Sequence, residues 1–333
     1  MVKEICRRAI RISCVGMQYV RIFVLQGPVL LALRLFPISF DYVFFVYPGT
    51  DSDMDKFVPR YFAKNLRHRT RMILCGFITK PQNAVVGRGL IIAAPSTVRT
   101  MVKFRENCEL LEQRLQKIAQ NCSVKTIAIA GRGASIFLRH NILLEHPFVH
   151  GEKGMVFCTI MTLEAVVDKY NLSLRDIDIV IFGAGRIGQS ITDFLLTKKS
   201  NVVTVTAQTV FDVNNVKVRD RGVDKLCKAD IVIVISAKGS DIYPYMKYLK
   251  NDAIIIDDTH PRMHKQFDRG VVYRASLALD GVHFKPSLPK YDSDSIPGCM
   301  LEAMVCARYG TIESQEAFNE KARTIGFHVR GIT

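Results

Sequence analysis

Along the C-terminal half of the chain, apolar residues arrive in short unbroken runs instead of alternating with polar ones. Ile177 to Phe182, Val202 to Thr206, Ile231 to Ser236 and Ala253 to Asp257 are each rich in Val and Ile. Strands buried on both faces have this composition, and the stretches between them can each hold a helix, so the pattern predicts a parallel sheet covered by helices. The N-terminal half is less uniform. Tyr42 to Tyr47 predicts a buried strand, and Pro48-Gly-Thr-Asp-Ser-Asp a turn that caps a helix over Met54 to Phe62. Arg71 to Thr79 and Val85 to Ala93 predict a hairpin. Ser96 to Gln120 carries the longest helical pattern, with Val98, Val102, Leu110, Leu111, Leu115 and Ile118 on one face. A strand at Thr126 to Ala130, the turn Gly131-Arg-Gly-Ala-Ser135 and a helix over Met155 to Tyr170 that bridges the two halves come after it.

The length of 333 residues suits about two domains, and 48% hydrophobic content excludes a disordered or collagen-like chain. Nine cysteines without a C-x-x-C pair or a zinc-type Cys/His spacing point away from a disulfide framework or a structural metal and toward a reducing, cytoplasmic setting. Lys and Arg total 46 against 31 Asp and Glu, a net charge of +15. Six basic residues (Lys3, Arg7, Arg8, Arg11, Arg21, Arg34) and one acid, Glu4, give the first 40 residues +5 of it. A second basic cluster runs from Lys64 to Arg71. No nucleic-acid motif accompanies either cluster, so nucleic acid is not the expected partner. Ile22 to Leu33 is charge-free but only twelve residues long, and Pro28 and Pro37 flank or interrupt the apolar stretch. A spanning helix needs about 20 apolar residues, so residues 1–40 are read as a basic apolar segment that packs on the protein or makes peripheral contact with an anionic membrane.

Gly183-Ala184-Gly185-Arg186-Ile187-Gly188 directly follows the run ending at Phe182 and opens a helical stretch, Ile187 to Thr197. Strand before and helix after are the context in which G-x-G-x-x-G binds a dinucleotide: the first glycine turns tightly, the second admits the pyrophosphate, and the third lets helix and strand pack. The fold class is therefore α/β, a Rossmann-like doubly wound parallel sheet with an N-terminal α/β substrate domain. The second strand of that sheet ends Thr204-Val-Thr206-Ala-Gln208, without the carboxylate that accepts the ribose hydroxyls of NAD. With Arg186 as a phosphate partner this favours NADP(H) over NAD(H). Thr206, Gln208 and Ser236, at the ends of strands in the same sheet, complete the expected cofactor contacts.

Pro297-Gly298-Cys299 opens a helical run that stops at Gly310. Cys299 falls in its first turn, where unpaired N–H groups and the helix dipole favour a thiolate, so it is the candidate nucleophile; Cys306, deep in the helix, reads as an inert core residue.

Together these motifs resemble the aldehyde-forming long-chain acyl-acyl carrier protein reductases and the related amino-acid and shikimate-type dehydrogenases. The resemblance covers the strand before Pro48, the turn at Gly131 to Ser135, and Gly151 set 32 residues before Gly183. It also covers Glu164-Ala165, Asp257 with Pro261, Cys299-Met-Leu-Glu302-Ala303-Met304 and Ile325-Gly326-Phe327. It implies that Cys299 takes an acyl group from an acyl carrier protein or coenzyme A thioester and that NADPH reduces the acyl-enzyme to an aldehyde. Gly133 and Ser135 would supply backbone donors to the developing oxyanion, Gly151 would line the substrate and Lys153 would contact a carrier phosphate there. His260, just past a strand's C-terminal end where open α/β sheets bind ligands, is the candidate proton donor. The alternatives are an NAD(P)-dependent dehydrogenase of a small polar substrate, or a non-catalytic nucleotide-binding partner protein. The expected division is 1–40, the N-terminal segment; 41–165, the substrate domain; 166–290, the cofactor domain; and 291–333, C-terminal helices packing back on the substrate domain. No metal is expected, and homo-oligomerisation is left open.

Overall fold

In the computed structural model the described residues are 40–49, 72–79, 86–94, 96–183, 185–198, 201–205, 223–264, 267–285, 288 and 291–332. The N-terminal segment up to residue 39, the helix expected at Met54 to Phe62, the basic cluster at Lys64 to Arg71, Ala184, Thr206 and Gln208 lie outside them. The chain divides into two compact units. The first takes Met1–His150, Gly281–Ser293 and Ala303–Thr311; the second takes Gly151–Asp280, Asp294–Glu302 and Ile312–Thr333. The division thus falls at Gly151 and not at residue 165, and the C-terminal residues are shared between the units.

In the first unit the predicted buried run forms β1 (Tyr42–Val46), and the predicted hairpin forms β2 (Ile73–Thr79) and β3 (Gly89–Ala93). With β4 (Thr126–Ile129) and β5 (Phe148–Val149) they stand in the order β2-β3-β1-β4-β5, in which β2 alone runs antiparallel to its neighbour. Val43, Phe45, Leu90, Ile92, Ile127 and Ile129 meet Met101, Cys108, Leu111 and Leu115 in one core. The helix expected over Ser96 to Gln120 is two helices, α1 (Val98–Lys103) and α2 (Arg105–Asn121), because Phe104 is extended at φ −122°, ψ 107°. The Cys108 thiol donates to the Met101 carbonyl across this break, 3.4 Å away. A short helix, α3 (Gly133–Arg139), follows β4.

The second unit opens with α4 (Glu152–Lys169). The Val/Ile runs become β6 (Asp178–Phe182), β7 (Asn201–Val205), β8 (Ile231–Val234) and β9 (Ile254–Asp257), joined by β10 (Val271–Arg274). Their order is β10-β9-β8-β6-β7, and every pairing is parallel. Such strands need both faces covered, which is why they are apolar throughout. Between the strands lie α5 (Arg186–Thr197), the short α6 (Val223–Leu226) and a 3-10 helix at Gly239–Tyr248. Leu226, Ile242 and Met246 pack on Val180, Val232, Val234 and Ile255. The strand pattern read from the sequence is thus the doubly wound α/β sheet observed.

Beyond it come β11 (Leu277–Ala278) and β12 (His283–Lys285), the latter an antiparallel edge strand beside β2 in the first unit's sheet. Then follow α7 (Gly298–Tyr309), α8 (Gln315–Ile325) and β13 (His328–Val329), which pairs with β11. Among the described residues no helix is long and apolar enough to cross a membrane.

Candidate active site

Because β6, β8 and β9 run parallel, their carboxyl ends share one edge of the second unit's sheet, where open α/β sheets bind ligands. Gly183 follows β6 at φ +137°, and a Cβ there would lie 2.8 Å from the Ile235 carbonyl carbon and 3.1 Å from the Ser236 nitrogen. Both the backbone angle and the adjoining strand end exclude a side chain. Gly188, in the first turn of α5, has its missing Cβ replaced by the Gly183 carbonyl oxygen, 2.0 Å from where that carbon would be. Helix and turn therefore pack with no atom to spare.

Gly185 is different. It caps α5 at φ −77°, ψ −178°, a conformation open to any residue, and a Cβ there would meet no atom within 4 Å. The fold has no need of a glycine at this position. A ligand approaching the backbone at the N-terminus of a twelve-residue helix does.

The expected partners of that loop fall out unevenly. Ser236 adjoins Gly183 through its backbone, while its hydroxyl donates to the Lys238 carbonyl at 2.9 Å. Ile187 lies half-buried in the first turn of α5. Arg186 projects from α5, but its guanidinium pairs with Glu152, whose carboxylate also accepts from the Ser190 hydroxyl at 3.2 Å. The arginine assigned to a ribose phosphate thus already has an anionic partner.

Cys299 is the second residue of α7, as the sequence predicts, and only 6% exposed. It lies against Gly151, the α4 N-cap, at φ +80°; a Cβ on Gly151 would sit 2.6 Å from the Cys299 Cβ. Close packing extends along both helix starts. A Cβ on Gly154 would fall 2.1 Å from the Gly298 carbonyl oxygen, and one on Gly298 would fall 2.7 Å from the Met155 Cα. Glu302, three residues along α7 from Cys299, turns its buried carboxylate onto the first N–H groups of α4, accepting from Gly154 at 3.0 Å. Burial pushes the Glu302 carboxyl up, and the opposing pull comes from the Gly154 N–H, the Lys153 charge and the Gly151 and Lys153 N–H groups. Lys153 and Gly151, expected to line the substrate, therefore stand beside Cys299 and Glu302. Gly133 and Ser135 belong to the first unit, in the first turn of α3; Gly133 is a glycine because Ile129 and Tyr47 fill the space of a side chain.

His260, the proposed proton donor, is exposed on the loop after β9. The buried titratable groups at the end of β9 are Asp257 and Asp258, 2% and 6% exposed; the resemblance marks Asp257, and neither was assigned a chemical role. Asp257 is fully engaged: it accepts from the Thr259 N–H at 3.0 Å, the Thr259 hydroxyl, the Met263 N–H at 2.8 Å and Arg274 at 3.3 Å. Asp258 accepts from the Thr159 hydroxyl of α4 at 2.8 Å. Burial raises its pKa to about 7; Arg274 and the Thr159 hydroxyl oppose the rise, and Asp257 adds to it. Next to Thr159 on α4, the buried Cys158 thiol is pushed far up by burial and then by the Asp258 charge, with Cys299 a further neighbour. The signal for Asp258 was in the sequence, as two adjacent carboxylates closing an otherwise apolar run. Cys306 is buried at 5% exposure and belongs to the first unit. Among the described residues no His, Cys, Asp or Glu group is arranged to hold a metal ion.

No family model matches the chain, and no curated protein matches it. Solved structures similar to it include the NAD-dependent malic enzyme of Thermotoga maritima, at 13% identity and a TM-score of 0.42, over 86% of this chain and 84% of that one. The malic enzyme of Entamoeba histolytica aligns at 10% identity and a TM-score of 0.44, over 96% and 78%. The methylenetetrahydrofolate dehydrogenase-cyclohydrolase of Trypanosoma brucei, solved with NADP and an inhibitor, aligns at 11% identity and a TM-score of 0.38, over 93% and 95%.

Proposed function

We propose that the second unit binds a nicotinamide dinucleotide at Gly183 to Gly188 and that the protein is an NAD(P)-dependent oxidoreductase. The observation that carries this is Gly185, open and unstrained between two glycines that the fold requires. When bound, the dinucleotide supplies or removes hydride. The chain's own contribution is a turn that brings backbone N–H groups of α5 to the pyrophosphate, and a carboxyl edge that carries Ser236 and the buried carboxylates beyond β9. NADP(H) is favoured over NAD(H) because Thr206-Ala-Gln208 offers no carboxylate to a ribose hydroxyl. Oxidation or reduction of a small polar substrate is the broader reading, since it asks only for this edge.

The placement of Cys299 in the first turn of α7 favours a second reading, reduction of a hydrophobic acyl thioester carried by an acyl carrier protein or coenzyme A. In it the Cys299 sulfur forms the new thioester and the carrier thiol leaves; reduction of the acyl-enzyme then frees an aldehyde and returns the Cys299 thiolate. Peripheral membrane contact through residues 1–40 belongs with this reading, because its products are lipophilic. One experiment separates the two. The protein is incubated with acyl-CoA and acyl-carrier thioesters, Cys299 is inspected by peptide mass spectrometry, and NADPH oxidation is followed in parallel with a screen of polar alcohols and NADP. An acyl mass on Cys299, with NADPH turnover abolished in Cys299→Ala, supports the thioester reading. Polar-alcohol oxidation that survives Cys299→Ala supports the broader one, and no turnover in either direction contradicts both.

A further inference from the structure

The asymmetry of the cofactor edge has a consequence for Asp258. In a dinucleotide fold the second strand of the sheet attends the adenosine ribose, and that strand here is β7, on one side of β6. The nicotinamide half must then extend to the other side, over the carboxyl ends of β8 and β9. Asp258 follows β9 immediately, and its N–H continues the sheet by donating to the Val234 carbonyl at the end of β8, 2.9 Å away. Of the two adjacent buried carboxylates, Asp257 takes the guanidinium hydrogen bond of Arg274 and three further donors from its own loop. Asp258 is held through Oδ2 by a neutral hydroxyl, Thr159.

We propose that Asp258 is the proton-exchanging residue at the nicotinamide end of the site, held in place by Thr159. In reduction the carbonyl carbon gains hydride, its oxygen gains the proton from Asp258, and the carboxylate left behind is reprotonated from solvent. In oxidation the substrate O–H proton passes to the Asp258 carboxylate as hydride leaves the carbon. A group poised near neutrality serves both directions, and burial puts Asp258 there, at about 7. The charged and titratable neighbours are Asp257 on β9, Arg274 on β10, Cys158 on α4 and, beyond Cys158, Cys299 on α7. The inference rests on the dinucleotide reading and, as written for a carbonyl and its alcohol, on the polar-substrate class.

The oxidised nicotinamide ring is positively charged and the reduced ring is neutral, so an ionised Asp258 favours NADP+ specifically. The test is calorimetric titration of the full chain with NADP+ and with NADPH at pH 6 and pH 8, in buffers of different ionisation enthalpy. The ratio of the two affinities cancels the ribose phosphate, which titrates in both forms. Attraction between opposite unit charges inside a protein site corresponds to a preference of roughly tenfold. With Asp258 titrating at about 7, we expect the NADP+/NADPH affinity ratio to rise about fivefold from pH 6 to pH 8, with proton release on NADP+ binding at the lower pH. Asp258→Asn abolishes that rise. Thr159→Val removes a donor that favours the carboxylate and moves the transition to higher pH, and Thr159→Ser restores it. A ratio that does not change with pH, or one that changes equally in Asp258→Asn, overturns the inference while leaving cofactor binding intact. Failure of the unaltered protein to bind either form overturns the dinucleotide reading, and this inference with it.

Discussion

Glycines build two helix junctions in the second unit, and they do opposite things. Where α4 meets α7, every glycine is filled in: Gly151 by Cys299, Gly154 by the Gly298 carbonyl, Gly298 by Met155. At the start of α5, Gly183 and Gly188 are likewise closed by backbone, but Gly185 faces open space. A glycine that the fold consumes is evidence about packing; a glycine that the fold leaves unused is evidence about something that comes to it. The first junction fixes a thiol and a carboxylate in place, and the second leaves a backbone surface exposed.

Substitutions should separate the two junctions by the size and kind of their effects. Gly154→Ala drives a methyl into the backbone of α7, which cannot yield as a side-chain tip would. We expect a loss of about 3 kcal/mol or more in chemical denaturation, the upper end of overpacking costs. Glu302→Gln keeps the shape but replaces one acceptor oxygen with an amide donor that the N–H groups at the start of α4 cannot use. Leaving a buried donor unsatisfied costs about 1–3 kcal/mol, so a stability loss of that order is expected. Because Glu302 positions the turn that carries Cys299, the rate at which iodoacetamide labels Cys299 should also change, while labelling of the exposed Cys227 stays the same. Gly185→Val should be the mildest for the fold, costing less than about 1 kcal/mol through the poorer N-cap. On the proposed dinucleotide site, its effect should fall on ligand binding instead.

How much of this was legible beforehand depends on the range of the interactions. The strands of the second unit were readable because burial on both faces leaves a local mark, an unbroken run of Val and Ile, and the glycine loop was readable from its place between strand and helix. The break at Phe104 was not, because Met101 and Cys108 are seven residues apart and would share a face in one continuous helix as well. The bond from Gly154 to Glu302 spans 148 residues, and no local pattern announces it. β12 joined the first unit's sheet in the same unannounced way, by pairing with β2. Asp257 and Asp258 were visible as a pair. Only the fold distinguishes the one tied into its own loop from the one held by a hydroxyl on α4.

On the proposed reading, Gly185 is kept open for a dinucleotide. That reading is tested most directly by titrating NADPH into the unaltered protein and into Gly185→Val, with thermal unfolding of both measured alongside. The account predicts saturable binding to the first, none to the second, and midpoints within about 3 °C of each other. Equal binding by the two proteins, or no binding by the unaltered one, would contradict it.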